Sequence, residues 1–264
     1  MQDLSTLWIG GNLGAMERAS LNSMMRLGHD VTLYSYTPIK NAPHGIRLRD
    51  ASEIMPADRI LLYRDKRKPS PALHANLFRY AMLNMTDAAW VDLDIVAVRP
   101  VPHADYLMGF ETSSSVNNAV LRLPHSSPTL KQLLSFTSES RGVPPHIQGA
   151  RRIKYWVRTL GRGYPIESWA WGSTGPKALT MFLAQNSELH NALPKNVFYP
   201  IGVHDHDQFL EPGRWQLNDF PSETICLHLW GSRIRKTLAE RYNGQVPRGS
   251  LYAEILDTFA DLGQ

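Results

Sequence analysis

The chain reads as one α/β domain, residues 1–264, organised around a sheet with parallel strands. Three observations predict this. A strand, an amphipathic helix and a second strand follow one another before Thr37. A long helix-forming stretch leads into a strongly apolar strand at Trp90–Val98. No internal repeat, low-complexity tract or linker divides the chain.

Leu7-Trp8-Ile9 reads as a short buried strand broken by Gly10-Gly11. Leu13, Met16, Leu21, Met24 and Leu27 then recur near helical period, and Gly28 supplies a helix stop. Val31–Tyr36 is β-branched and aromatic, as a strand requires. The Pro-rich, charged stretch from Thr37 to Pro71 reads as a loop carrying one short strand near Ile60–Tyr63. Residues 72–85 are helix formers, and Arg99-Pro100 ends the strand Trp90–Val98. Strands fit Tyr106–Glu111 and Ala119–Leu123, followed by helices near 127–136 and 147–160. Thr174-Gly175-Pro176 looks like a capped helix start. Strands near 197–201 and 225–230 precede helices near 233–241 and 251–262.

Composition narrows the function classes. The single cysteine, Cys226, excludes an intramolecular disulfide and any multi-cysteine metal site, and its apolar neighbours make it an inert strand residue. No run approaches the ~20 apolar residues of a membrane span, and the first residues lack the pattern of a signal peptide. A cytoplasmic protein is expected. The net charge of +4 points to an anionic partner. Basic clusters at Arg64–Lys68, Arg151–Arg162 and Arg233–Arg241 suit solvated faces or peripheral contact with anionic membrane at its inner face. No nucleic-acid recognition motif accompanies them, so nucleic acid is not an expected partner.

The chemistry concentrates in Asp92-Leu93-Asp94. In an extended strand, side chains alternate, so Asp92 and Asp94 project to one side, about 6–7 Å apart, with Leu93 opposite. Two carboxylates in an apolar strand repel each other and lose hydration, at a cost that a divalent cation removes. Oxygen ligands favour Mg²⁺ or Mn²⁺, which bridge carboxylates to phosphate. Without the cation, removing one of the two charges is expected to leave the protein at least as stable. Asn76 and Arg79 lie three residues apart on one helix face, and a guanidinium there suits a phosphate or a carboxylate partner. His228 alternates with Cys226 and Trp230 along a strand, as a core residue or as an imidazole ligand that would favour Mn²⁺. Glu111 reads as a solvated strand end ahead of a catalytic or acceptor-orienting carboxylate, and His204-Asp205-His206-Asp207 as a loop, capping or acceptor-side cluster ahead of a metal site.

The segments LWIGG (7–11), NLFRYAML (76–83) and AWVDLDIVAVRP (89–100) resemble glycosyltransferase family 32 and its relatives. Those relatives include the α-1,4-galactosyltransferases and the glucosyltransferase domains of large clostridial toxins. STGPKALT (173–180) and HLWGSR (228–233) look like later blocks of the galactosyltransferase-like members, in the same order. The resemblance implies a GT-A-type nucleotide-diphospho-sugar transferase fold, a single mixed sheet flanked by helices. It implies a hexose moved from a nucleotide-sugar donor, a UDP-sugar in these families, to a glycan, glycolipid or polysaccharide acceptor, with retention.

The resemblance also implies roles. Trp8 stacks on uracil, with Ile9 and Gly10 beside it. Arg79 contacts the donor, with Asn76 one turn before it. Asp92 lies nearer the sugar and ribose with Leu93, and Asp94 ligates the metal directly. Asn117 or Asn118 lies near the transferred sugar, and His228 and Trp230 belong to the segment closing over the diphosphate, His228 as a metal ligand. The chain departs from the family at Asn76, usually Asp, and at Ala88-Ala89, usually Gly-Gly.

Three other readings compete. A dinucleotide oxidoreductase would need G-x-G-x-x-G spacing and an acidic residue after the second strand, and neither is present. A glycoside hydrolase needs carboxylates flanking the scissile bond from opposite sides. A non-catalytic protein binding a sugar, nucleotide sugar or lipid is separated from the transferase by turnover.

Overall fold

The computed structural model describes residues 1–64 and 69–260, so Lys66, Arg67 and Lys68 of the first basic cluster and the end of the last expected helix lie outside the described residues. The N-terminal third runs β1 (Leu4–Trp8), α1 (Ala15–Arg26), β2 (Val31–Ser35), β3 (Arg47–Asp50) and α2 (Ala72–Met85). The middle contains β4 (Ala89–Val91), β5 (Ile95–Ala97), β6 (Leu107–Thr112), β7 (Ser115–Arg122) and α3 (Pro128–Leu134). After it come β8 (Arg141–Gly142), α4 (Gly149–Arg158), β9 (Tyr164–Pro165) and α5 (Pro176–Gln185). The last part holds α6 (Lys195–Phe198), β10 (Cys226–His228), α7 (Gly231–Arg241) and α8 (Leu251–Thr258).

The main sheet is mixed and six-stranded, ordered β3-β2-β1-β4-β7-β6. β1 pairs in parallel with β2 and β4, and β7 is antiparallel to both β4 and β6. Strand alternation sorts its apolar residues between two cores. Leu7, Tyr34, Trp90 and Leu121 face the layer of α2, α3 and α5, while Leu4, Leu33, Val91 and Val120 face the layer of α1 and α6. A third cluster joins α7 and α8 through Leu227, Ile234 and Ile255. Among the described residues no helix is long and apolar enough to cross a membrane.

Four expectations require correction. Ile60–Tyr63 is not a strand; only Tyr63 bridges Ser70. The sheet's outer strand is instead Arg47–Asp50, whose exposed charges give no apolar signal and suit an edge. Residues 197–201 begin with a helical turn after Pro194, which buries Val197 and Phe198. At α5, Gly175 is the N-cap and no side chain caps the helix, so Thr174 is free for other work.

The fourth correction bears on the site. Trp90–Val98 is not one strand. Asp92 N–H still donates to the Ala119 carbonyl of β7 at 2.8 Å, but Ile95 N–H turns back to the Asp92 carbonyl at 3.1 Å. The chain leaves the main sheet there, and β5 pairs antiparallel with β10 in a separate two-stranded ribbon.

Candidate functional site

From β1 the chain steps outward to β2 and β3, then returns to lay β4 on the other side of β1. In open α/β sheets, ligands bind outside the carboxyl ends of the strands at such a reversal. The two turns leaving β1 and β4 there are Gly10-Gly11 and Asp92-Leu93-Asp94. Leu4 pairs with Ala89 and Ser5 with Trp90, and that register continued brings Trp8 level with Leu93.

Asp92 and Asp94 are therefore gathered by a turn, and strand alternation is not what puts them together. They have different partners. Arg79 reaches from α2, donating from Nη2 to Asp92 Oδ1 at 2.5 Å and from Nη1 to Asn76 Oδ1 at 2.8 Å. Its guanidinium lies 4.6 Å from the Trp90 ring centroid, and Trp90 Nε1 donates to the same Asp92 oxygen at 2.7 Å. Asn76, where the resembling family has an acid, gives Arg79 an acceptor without a second negative charge. The guanidinium charge is thereby directed at Asp92.

Asn76 extends this contact into a buried polar chain. Its Oδ1 accepts from Asn118 Nδ2 at 3.0 Å, and its Nδ2 donates to Thr174 Oγ1 at 3.2 Å. Thr174 Oγ1 also lies 2.6 Å from the Tyr63 hydroxyl, and Tyr80 donates to the Thr174 carbonyl at 2.7 Å. A Cβ at Gly175 would sit 3.0 Å from Asn76 Nδ2 and 3.3 Å from Asn118 Nδ2, so glycine lets this loop close on the two amides.

Asp94 faces the C-terminal segment. Its Oδ2 accepts from Gly231 N–H at 2.8 Å, its Oδ1 lies 3.3 Å from His228 Nε2, and its carbonyl accepts from Leu229 N–H at 2.8 Å. A Cβ at Gly231 would lie 2.8 Å from Met16 Sδ and 3.2 Å from Asp94 Oδ2, a close approach that glycine permits. Trp230 adopts a left-handed backbone at φ +53°, which a bulky residue holds only when its surroundings fix it. Here its Nε1 donates to the Ile201 carbonyl at 2.9 Å, and its ring lies 3.8 Å from that of His228.

The electrostatics separate the two carboxylates. Burial would raise Asp94, but the His228 charge and hydrogen bond, the Gly231 N–H and Arg235 together hold it down to about 2. Burial raises Asp92; Arg79 opposes this, the Asp94 charge adds to it, and the shift stays upward. Burial lowers His228, but Asp94 and then Asp92 outweigh it and raise the imidazole. Asp92 thus keeps a raised carboxyl, chiefly through burial, even with Arg79 paired to it.

The donor types fit a divalent cation, since an imidazole nitrogen and a carboxylate converge and a second carboxylate stands beside them. The Asp92 and Asp94 side chains remain 30% and 24% exposed, so a ligand can reach them. Among the described residues no group of three or more His, Cys, Asp or Glu side chains is assembled as a metal cage. Asp94 and His228 are adjacent, while Asp92 is turned toward Arg79.

Most of the predicted residues thus come together: Asp92, Asp94, His228, Trp230, Arg79, Asn76 and Asn118. Asn117 is not in the Asn76–Asn118 chain; it donates to Glu111 Oε2 at 2.9 Å and accepts from Ala119 N–H at 2.8 Å, and Glu111 is half-buried near the end of β6. Trp8 folds over its own loop, donating from Nε1 to the Gly11 carbonyl at 2.9 Å, while Ile9 packs on the core. His206 and Asp207 serve structure: His206 contacts Val203 and Thr237, and Asp207 pairs with Arg241 at 2.7 Å. Cys226 is buried, its thiol pushed up by desolvation. Sequence reasoning missed the Trp90 indole, the Thr174 hydroxyl and the Gly231 N–H. Glycine directly after Trp230 was the one available signal. No protein-family model matches the chain, and no curated protein does.

Proposed function

We propose that this protein is a GT-A-type glycosyltransferase moving a hexose from a nucleotide-sugar donor, a UDP-sugar, to a hydroxyl of a glycan, glycolipid or polysaccharide acceptor, with retention. One observation carries the reading. At the carboxyl edge between β1 and β4, an Arg-braced Asp92 and a His-paired Asp94 meet beside an aromatic turn. That combination suits a diphosphate with its counter-ion, flanked by a base.

Asp94 and His228, with Asp92 alongside, would hold Mn²⁺ or Mg²⁺. When bound, the ion supplies positive charge facing the departing diphosphate. Arg79 fixes the Asp92 carboxylate in place and adds charge at the same edge. Asn76 and Asn118, joined in the buried polar chain, brace Arg79 at this edge, and Trp8 offers an aromatic face to uracil. The acceptor hydroxyl attacks the anomeric carbon from the side the diphosphate leaves. The bond to the donor phosphate oxygen breaks with its electrons staying on the diphosphate, whose freed oxygen takes the acceptor hydroxyl's proton.

The test is nucleotide release from a panel of UDP-hexoses and GDP-mannose with Mn²⁺, alongside calorimetric binding of UDP. Release that depends on Mn²⁺ supports the reading. UDP binding without release from any donor would assign the protein to the non-catalytic alternative, and the absence of both UDP binding and release from any donor would remove the reading altogether.

A further inference from the structure

Helix α4 departs from the way the other long helices sit. It has no buried residue, whereas α1, α2, α5, α7 and α8 each bury an apolar face. Ile153, Trp156, Val157 and Leu160 recur at i, i+3, i+4 and i+7, one stripe on a helical wheel. Packed helices turn such a stripe inward. Here Ile153 is 65% exposed, Val157 69% and Leu160 89%. The helix instead meets the protein through Tyr155, whose ring packs edge-on against Tyr164 at 5.6 Å. Opposite and beside the stripe stand Arg151, Arg152, Lys154 and Arg158, with Arg162 following. No acidic residue occurs from Ser140 to Ile166. Each of the other two basic clusters has paired members, Arg64 with Glu167, Arg235 with Glu17 and Arg241 with Asp207, whereas the α4 cations make no ion pair among the described residues.

We propose that α4 is an interfacial membrane helix that lays Ile153, Val157 and Leu160 into an anionic bilayer surface while its arginines and lysine contact lipid phosphates. An exposed apolar stripe backed by unpaired cations is the pattern that binds at the headgroup boundary. Charge chooses the occupant. A second copy of this basic chain would bring like charge against these residues, whereas an anionic leaflet complements them. The inference stands independently of the transferase reading.

The experiment is co-sedimentation of the full chain with phosphatidylcholine vesicles, with and without phosphatidylglycerol, at low and high salt. Binding is expected only to the anionic vesicles, weakening as salt rises, with a blue shift of tryptophan emission as Trp156 enters the interface. Ile153→Glu with Val157→Glu should weaken binding at least ~10-fold at an unchanged thermal midpoint, given the apolar area withdrawn. Replacing Arg151, Arg152 and Lys154 with Gln should cost about fivefold per charge and flatten the salt dependence. Absent binding to anionic vesicles at low salt would overturn the proposal, as would binding that the glutamate variant leaves unchanged. A dimer in sedimentation that the glutamate variant dissolves, without vesicle binding by the parent, would give the stripe to a second copy and overturn it equally.

Discussion

Asp92 and Asp94 flank one leucine, yet the fold treats their charges oppositely: repulsion contributes to the raised Asp92, while at Asp94 the attractive partners prevail. Asp94 is held down to about 2 against its ordinary 3.8, so its contribution to stability is present above 3.8 and lost as pH falls through about 2. His228 is raised above its ordinary 6.5, so its contribution is complete below 6.5 and lost as pH rises through the folded value. The pair therefore stabilises the metal-free protein most between 3.8 and 6.5. In EDTA the thermal midpoint should fall above that window, and His228→Gln should flatten the fall; a wild-type midpoint that climbs past pH 6.5 would contradict this. Asp94→Asn should destabilise the metal-free protein by on the order of 1–2 kcal/mol, because the lost partners outweigh the relieved repulsion. Trp8 makes a separate residue-level prediction. Trp8→Ala should weaken UDP binding by about 1–3 kcal/mol, the range for base–aromatic stacking. Calorimetry showing equal UDP affinity in a folded variant would remove that role.

Among the elements, α2 was legible to the residue because its whole length is helix-forming and nothing inside it breaks the pattern. The strand expected at Trp90–Val98 was legible only as apolar content. Its break depends on Ala119 taking the last ladder bond and on β10 being there to receive β5, both distant in sequence. β3 escaped notice because an exposed edge strand with three charges in four residues resembles a loop. Glu188, also unnoticed, joins three elements: it accepts from Ser127 Oγ at 3.0 Å and Thr129 N–H at 3.1 Å at the start of α3, and from Tyr106 before β6 at 2.6 Å. Burial pushes this carboxyl up, but those donors win and hold it below its ordinary 4.5, so its stabilisation is present above 4.5 and lost on acidification. Glu188→Ala strands a buried hydroxyl and a helix N-terminus, and should cost about 1–3 kcal/mol in urea unfolding. A change below ~0.5 kcal/mol would show that water replaces the carboxylate.

At the scale of the whole molecule, parallel β1 and β2 followed from strand, helix, strand. The antiparallel pairing of β7 with β4 and the β5–β10 ribbon carry no local signal, since they join segments distant in sequence. The site divides along the same line. Asp92, Asp94, Asn76 and Arg79 were visible as spacing within one helix and one apolar segment. Thr174, Gly231 and the Trp90 indole became site residues only once the loop before α5 and the start of α7 were folded over the β4 edge. The claim that unites these pieces is that the edge between β1 and β4 binds a sugar nucleotide through Asp92 and Asp94 and releases its diphosphate. Mn²⁺-dependent nucleotide release tests it most directly, measured for wild type, Asp94→Asn and the Asp92→Asn, Asp94→Asn pair with folding checked by circular dichroism. Activity should fall at least ~100-fold in Asp94→Asn and further in the pair, since charge stabilisation of a leaving diphosphate is worth several kcal/mol. Release at the wild-type rate by the folded double variant would contradict the account.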